Sequence, residues 1–285
     1  MKLVLVVASL VSLVLAAAAA GAAAPPVRER SEASHLRDWT VTLTYGLERS
    51  GGGLGFSKLA SVRVQAVVRG VTRLDRTVPL PQECGDFGCQ VFGSNSSLLE
   101  LADLGGGAPT AVLWLWTGGA HCCSIAETVS LATGARTVHD FGNHGASIVR
   151  VGSARLFASM DDRFSYLYTS YAASLNPLQL WRLRNGTFVD VTASYPGRIA
   201  ADERGLWGYV HSLARRKAEV RGAFAAWAAD ACRLSGRARV EAASRSLVAA
   251  GAFSPPRTDP FGPTGRRFPV VLVRDLTRFG YCRSR

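Results

Sequence analysis

The chain has 285 residues and carries 33 basic against 21 acidic side chains, for a net charge of +12. This length allows a sizeable hydrophobic core in one or two domains, so disulfides would reinforce the fold rather than replace a core. Beyond the N-terminus no apolar run reaches about 18 residues, which excludes a membrane-spanning helix from the rest of the sequence.

The N-terminus has the pattern of a secretory signal peptide over residues 1–24. Lys2 gives a positive start, residues 3–15 form an apolar core, and a run of small residues offers cleavage sites. The apolar core is too short for a comfortable membrane span. We therefore expect a secreted or extracytoplasmic protein, whose polar residues 25–38 predict a flexible leader.

The positive charge is concentrated at the C-terminal end. Residues 196–285 hold 17 basic against 7 acidic side chains, a net charge of +10, whereas residues 1–195 contribute only +2. A basic region of this kind is typical of an arm that binds nucleic acid, but export separates the chain from most nucleic acid. We expect a solvated basic surface that attracts an anionic polymer of the envelope, and no nucleic-acid partner.

Short strands are predicted between residues 39 and 195, with Gly, Asn and Asp turns between them. The alternation of apolar and polar residues is clearest at residues 39–45 and 62–67. Further strands are predicted at residues 77–80, 90–92, 97–101, 110–116, 125–131, 137–141, 155–158, 178–183 and 188–191. This regular spacing favours an all-β domain over residues 39–195, either a sandwich or propeller-like blades.

The pattern changes to helical spacing near the C-terminus. Apolar residues recur every three or four positions over residues 203–234, which predicts one long amphipathic helix with a possible bend at Lys217. Two more helices are predicted at residues 237–250 and 269–279. The predicted fold class is α+β, with an N-terminal all-β domain followed by a helical C-terminal region over residues 196–285.

The most distinctive segment is Gly118 to Cys123, with the sequence GGAHCC. It follows the apolar run 111–116, which predicts a buried strand. Two glycines then permit a sharp turn that presents His121 beside two adjacent thiols. Adjacent cysteines indicate a vicinal disulfide, bridges to two different partners, or a pair of soft metal ligands.

An exported chain meets an oxidising compartment, where six cysteines fit three disulfides. The cysteines are Cys84, Cys89, Cys122, Cys123, Cys232 and Cys282. We predict that Cys232 pairs with Cys282 and that Cys84 pairs locally with Cys89, which leaves Cys122 and Cys123 for each other. The competing arrangement sends one of Cys84 and Cys89 to the adjacent pair.

Leu99 to Pro109, followed by GGAHCC, resembles a group of secreted bacterial proteins that carry a D-x-D-G-D-G-x-P-E segment, a strand and then GGAHCC. Residues 160–164 and 188–192 look like the same group. These proteins are loosely grouped with FG-GAP or VCBS-type repeats, and most have no assigned function. The resemblance implies propeller-related blades over about residues 97–200.

A metal centre and a catalytic site are both disfavoured by the sequence. Calcium loops need several acidic ligands, and only Asp103 remains here, so we expect a tight turn without metal. His121, His139 and His144 with the adjacent cysteines would suit zinc, but their spacing matches no known zinc motif. Common hydrolase, metalloprotease and nucleotide-binding motifs are missing. We expect no metal, no cofactor and no catalytic residue.

Three functional hypotheses follow. The first is an exported, non-catalytic binding or scaffolding protein of the cell envelope or extracellular space, with an unidentified ligand. The second is a hydrolase of envelope polymers that uses Asp161 or Asp162 as acid and base. A turn capped by an Asp, or a pairing with Arg163, explains those carboxylates more simply. The third is a metal-binding protein centred on His121.

Overall fold

The computed structural model describes residues 27–49, 57–85, 88–91, 97–119, 122–254 and 261–282. Within these residues twelve strands come first and four α-helices follow. The predicted α+β class, with an all-β N-terminal part and a helical C-terminal part, is therefore confirmed. None of the helices in the described ranges is long and apolar enough to cross a membrane. The predicted signal peptide at residues 1–24 lies outside the described residues.

The strands form three four-stranded antiparallel sheets, in each of which neighbours in sequence are neighbours in space. Sheet 1 contains β1 (Arg28–Leu36), β2 (Trp39–Arg49), β3 (Ser57–Val68) and β4 (Val71–Val78). Sheet 2 contains β5 (Leu99–Ala102), β6 (Thr110–Gly119), β7 (Cys122–Ser130) and β8 (Arg136–Asp140). Sheet 3 contains β9 (Ala146–Val151), β10 (Ala154–Met160), β11 (Leu178–Arg184) and β12 (Thr187–Asp190).

Strand β1 occupies a segment for which the sequence predicts a flexible leader, so that expectation for residues 25–38 is corrected. All nine residues of β1 pair with β2. The Glu32 carboxylate also accepts hydrogen bonds from Ser97 Oγ (2.6 Å) and from the backbone N–H of Leu98 (2.9 Å). Hydrogen bonds between backbone groups hold this polar segment in the sheet. Because these bonds do not depend on side-chain type, the sequence of β1 need not alternate between apolar and polar residues.

Sheet 2 is the central layer of the β-rich part. Leu113 packs in one apolar cluster with Val41 of sheet 1, whereas Val112, on the opposite face of β6, packs with Phe157 of sheet 3. Successive side chains of a strand point to opposite faces, so a strand buried on both sides must be apolar throughout. This double burial explains the continuous apolar run at residues 111–116.

The helices are α1 (Pro196–Arg215), α2 (Arg221–Ser235), α3 (Arg237–Ala249) and α4 (Arg267–Arg278). The single helix predicted over residues 203–234 is thus wrong, because the chain breaks where the sequence indicates only a bend. Lys217 has φ 53°, in the left-handed region that ends helices.

The segment between β10 and β11 also packs in the helical core. Phe164 and Tyr168 are buried with Phe224 and Phe268 of the helices. The Tyr168 hydroxyl donates to the buried carboxylate of Asp275 at 3.2 Å. Because this segment lies within residues 39–195 yet packs with the helices, the division into two domains stays a prediction.

A buried hydrogen-bonded joint connects the helices to sheet 3. Arg233 of α2 donates to the backbone oxygen of Leu178 (2.8 Å) and to the carboxyl group of Asp230 (3.2 Å). Asp202 of α1 accepts from the backbone N–H of Leu178 at 3.2 Å. Burial raises the pKa of Asp230 to about 8, the neighbouring Asp202 carboxylate adds to this rise, and Arg233 opposes it. Asp230 is therefore largely protonated at neutral pH.

The six cysteines lie in three close pairs, Cys84 with Cys89, Cys122 with Cys123, and Cys232 with Cys282. The Cα atoms of the first and the third pair are 4.9 Å apart, within the usual range for a bridge. All three pairs fit disulfides and are the pairs that the sequence predicts; their oxidation in the purified protein stays a prediction.

Replacing both Cys232 and Cys282 by Ser should lower the free energy of unfolding by about 4 kcal/mol, because the bridge closes a long loop in the unfolded chain. The two residues are 50 positions apart. Urea denaturation without reductant measures the change. As a control, the same double change at Cys84 and Cys89, 5 positions apart, should cost about 2 kcal/mol by the loop-closure relation. Two free thiols at Cys232 and Cys282 in the wild type would contradict the pairing.

Candidate functional site

An open groove of about 1040 Å³ lies between sheets 2 and 3. Its charged lining residues are Arg37, Asp103, Arg150, Arg155, Arg182 and Arg184. The single carboxylate is already paired with the Arg37 guanidinium. Five arginines against one acid leave a strong positive potential, and we call this feature the arginine groove.

The groove exists because the side chains between sheets 2 and 3 change from apolar to charged along the strands. At one end of this contact Phe157 packs against Phe141, with ring centroids 5.8 Å apart, and Ile148 packs against the same cluster. Two residues away on the same face of β10, Arg155 takes the position that corresponds to Phe157. On β9, Arg150 takes the position that corresponds to Ile148 in the same way. Charged side chains cannot close a dry interface, so the layers separate here.

The first wall of the groove carries two arginines in direct opposition. Arg150 of β9 and Arg155 of β10 are cross-strand partners, and both are exposed. Like charges in this position destabilise a sheet by roughly 0.2–1 kcal/mol. Arg150 Nε donates to the backbone oxygen of Gly152 at 3.1 Å. In the part of the chain that the structure describes, neither guanidinium has a carboxylate partner.

The second wall carries hydroxyl groups. Thr110 of β6 pairs with Ser130 of β7, and Thr128 pairs with Thr137 of β8. All four residues line the groove. The Thr137 hydroxyl donates to the backbone oxygen of Gly186 at 2.5 Å, which joins sheet 2 to the turn between β11 and β12. The Thr128 hydroxyl likewise donates to the backbone oxygen of Thr137 at 3.2 Å. A hydroxyl has one proton to donate, so Thr110 and Ser130 are the residues of this wall that can donate to an anionic ligand, whereas all four hydroxyl oxygens can accept from a hydroxylated one.

The chemistry available in the arginine groove is binding chemistry. Guanidinium groups bind carboxylates and phosphates in bidentate fashion, and they stay charged at any physiological pH. Acid–base catalysis needs a proton-transferring group with a suitable pKa, and the one carboxylate lining the described groove is ion-paired. That carboxylate, Asp103, also accepts from the backbone N–H of Gly105 at 3.2 Å. It forms the tight turn that the sequence predicts.

His139 lies in the apolar cluster beyond the groove and not in a metal site. Its ring centroid is 4.3 Å from that of Trp181, 4.5 Å from that of Phe141 and 4.8 Å from that of Phe188. Burial lowers the pKa of His139, and the nearby Asp140 carboxylate offsets only part of this effect. The imidazole is therefore a neutral aromatic packing group.

The segment that we call the cysteine corner, Gly118–Gly119 with Cys122–Cys123, lies where β6 turns into β7. Trp116 Nε1 donates to the backbone oxygen of Cys122 at 3.1 Å, and the Cys123 backbone N–H donates to Thr117 Oγ1 at 2.7 Å. Gly118 has φ 84°, and a Cβ there would overlap the Gln90 side chain. Both strand ends are thus fixed by hydrogen bonds and close packing.

The potential zinc ligands are only partly brought together. The ligand atoms of Cys122, Cys123 and Asp140 lie within 4.8 Å of one another. His144 instead lies 3.8 Å from Asp162, and His121 is outside the described residues. A neighbouring carboxylate disfavours a thiolate, which argues against a reactive thiol.

The cysteine corner and the arginine groove are separate features. Thr110 starts β6 and Gly119 ends it, so the two ends are roughly 30 Å apart at about 3.3 Å per residue.

Asp161 and Asp162 do not form a catalytic pair. Asp161 is buried, and its carboxylate accepts from Arg163 Nε (2.8 Å) and from the Tyr281 hydroxyl (2.6 Å). Burial alone would raise the pKa of Asp161, but these hydrogen bonds outweigh burial and lower it. Asp162 Oδ1 accepts from the Ser165 hydroxyl at 2.8 Å. Neither carboxylate lines the arginine groove. Asp161 instead forms the ion pair with Arg163 that the sequence favours as the simpler explanation.

Arg150 and Arg155 are not among the functional residues predicted from the sequence, because strand β9 is not predicted there. A pattern that identifies them is nevertheless present. They lie at equal distances on either side of a two-residue turn, Gly152–Ser153. A hairpin closed by such a turn places them directly opposite each other.

No protein-family model and no solved structure matches the chain. The chain is similar to a probable thylakoid lumen protein of Synechocystis sp., with 38% identity over 105 residues. This match covers 34% of the chain and 31% of the relative, so it spans about a third of that protein's length. The lumenal name agrees with the prediction of a secreted or extracytoplasmic protein, whereas the resemblance to FG-GAP-type proteins stays a prediction.

Replacing Gly118 by Ala should lower the free energy of unfolding by about 1–3 kcal/mol, because an L-residue is strained at positive φ and its Cβ meets Gln90. Gly205→Ala is the matched control. An added Cβ at Gly205 meets nothing within 4 Å. In that helix interior the change should stabilise by about 0.5–1 kcal/mol. Urea denaturation measures both, and equal stability of the two variants would contradict the packing described for the corner.

His139 should make the protein less stable in mild acid. Its folded-state pKa lies below the ordinary value of 6.5, so the unfolded chain takes up the proton first and stability falls as the pH drops through that region. His139→Phe should remove part of this fall. Urea midpoints at about pH 7.5 and about pH 5.5 measure it. The exposed His35, changed to Gln, is the control and should keep the wild-type response; an unchanged response in His139→Phe would contradict the assignment.

Proposed function

We propose that this chain is an extracytoplasmic, non-catalytic binding protein that holds an anionic envelope polymer in the arginine groove. The observation that carries the proposal is the direct opposition of Arg150 and Arg155 beside a wall of hydroxyls. The pairing costs stability in the free protein. A bound anion between the two guanidinium groups would turn this repulsion into attraction.

The size and openness of the groove favour a polymer over a small anion. A single phosphate or carboxylate would satisfy one or two guanidinium groups, whereas five arginines line the groove. A chain with a charge on each repeat unit would meet several of them at once, and its hydroxyls would meet the threonines. The extracytoplasmic location supports an envelope ligand, because such a compartment contains anionic polymers and little nucleic acid.

The two alternative functions have less support. A hydrolase needs two facing carboxylates in one cleft, and Asp161 is held by Arg163 and Tyr281 instead. A metal-binding role centred on His121 stays a prediction, since this residue is outside the described ranges. Scaffolding stays compatible with polymer binding, as one protein can bind a polymer and a partner through different surfaces.

Replacing Arg150 or Arg155 by Ala should weaken binding to polygalacturonate about tenfold, since each change removes one charge-assisted hydrogen-bonding group. Either change should also raise the free energy of unfolding by about 0.2–1 kcal/mol, because it removes the like-charge pair. Fluorescence titration at low and high salt measures binding, with neutral dextran as the ligand control.

Arg73→Ala is the matched protein control. Arg73 is an exposed strand arginine of β4 that does not line the groove. This variant should bind like the wild type. If Arg73→Ala weakened binding as much as the groove variants do, attraction would come from the overall positive charge and the proposal would fail. Failure to bind any carboxylated, phosphorylated or sulfated polymer would also overturn it.

A further inference from the structure

A second concave site lies between α3 and α4, on the helical part of the molecule. It has a volume of about 640 Å³, and we call it the helical cleft. The residues that matter to its chemistry are Ser244, Arg245, Val248, Arg266, Val270 and Val273. This volume is typical of sites that take small organic molecules, roughly 300–1,000 Å³.

The floor of the helical cleft is apolar. Val273 is buried, Val248 is half-buried, and Val270 is 71% exposed. The opposite face of α4 is fully used in the core, where Phe268 and Leu272 are buried. An apolar residue as exposed as Val270 contributes nothing to the core, but it can cover an alkyl group placed in the cleft.

The cleft also contains an unpaired hydroxyl. Ser244 is only 4% exposed, and its Oγ has no hydrogen-bond partner among the described residues. A buried hydroxyl without a partner costs free energy in the folded protein. Ser244 lines the cleft, but its Oγ is itself shielded from solvent, so its side chain must rotate to bring the hydroxyl to a polar atom of an occupant.

The rim of the cleft is positively charged. Arg245 and Arg266 are exposed, and in the described part of the chain neither has an ion-pair partner. Arg237, also at the rim, is already paired with Glu241 at 2.5 Å. The cleft therefore offers two available guanidinium groups above an apolar floor.

We propose that the helical cleft binds a single-chain anionic amphiphile, with a carboxylate headgroup between Arg245 and Arg266 and the alkyl chain against Val248, Val270 and Val273. Charge complementarity selects the anionic headgroup, and the volume of about 640 Å³ is that of a site for a small molecule rather than for a folded partner. The Ser244 hydroxyl donates to a polar atom of the ligand. This site is independent of the arginine groove and of the function proposed for it.

Dodecanoate, below its micelle concentration, is the probe, and isothermal titration calorimetry of the full chain is the measurement. We expect saturable binding of one molecule per chain. Arg245→Ala with Arg266→Ala should weaken it at least about tenfold, and Val270→Asp should do the same by placing a charge on the floor. Ser244→Ala should weaken binding about threefold to tenfold without lowering the urea midpoint, since its hydroxyl has no partner in the free protein.

Two controls make the result decisive. The variant Arg204→Ala removes an arginine from α1, outside the cleft, and should bind dodecanoate like the wild type. Dodecyltrimethylammonium has the same alkyl chain with the opposite charge and should bind much more weakly. Equal binding of the two amphiphiles, or equal loss in Arg204→Ala, would overturn the proposal.

Other occupants give distinct results. Concentration-dependent dimers abolished by Val270→Asp, without dodecanoate binding, would assign the cleft to a second copy of the chain. Sedimentation with phosphatidylglycerol vesicles, again without dodecanoate binding, would assign this face to a membrane surface. Either outcome overturns the proposal of a small amphiphile.

Discussion

The burial of sheet 2 on both faces is the constraint on which the rest of the β-rich part depends. Val112 and Leu113 are neighbours on β6, yet they belong to different apolar clusters. A strand register shifted by one residue would exchange these two faces and mismatch both interfaces at once. The central sheet therefore fixes how sheet 1 and sheet 3 are placed, and with them the groove between the layers.

The same alternation of side chains creates both the tight end and the open end of the contact between sheets 2 and 3. Phe157 and Arg155 are two residues apart on one face of β10, and Trp114, Val112 and Thr110 follow each other on one face of β6. Aromatic and aliphatic side chains join the layers, whereas arginines and hydroxyls keep them apart. The ligand-binding character proposed for this region thus arises from a change in side-chain type within otherwise regular strands.

Features determined by local chemistry were predictable from the sequence. The apolar run at residues 111–116 predicts a buried strand, and the structure has β6 there. The short loop with two glycines predicts the local pair Cys84–Cys89, which the structure brings close. In each case, residues near one another in sequence carry the information.

Features that depend on distant partners were not predictable in this way. Strand β1 is polar and is fixed by pairing with β2 and by contacts of Glu32 with residues 97 and 98. The break at Lys217 depends on a backbone conformation that its side chain does not reveal. The arginine groove forms only where two sheets meet. The part of it that the sequence contains is the equal spacing of Arg150 and Arg155 on either side of Gly152–Ser153.

The hydrogen-bonded joint at Asp230 makes folding a proton-binding reaction. The pKa of this carboxyl rises from 3.8 in the ordinary state to about 8 in the folded protein, first because of burial. Folding therefore takes up a proton between these values, so this group's contribution to stability is fully present below about pH 4 and is lost progressively as the pH rises from there to about 8. The attachment of the helices to sheet 3 is consequently strongest in acid and has lost most of this contribution at neutral pH.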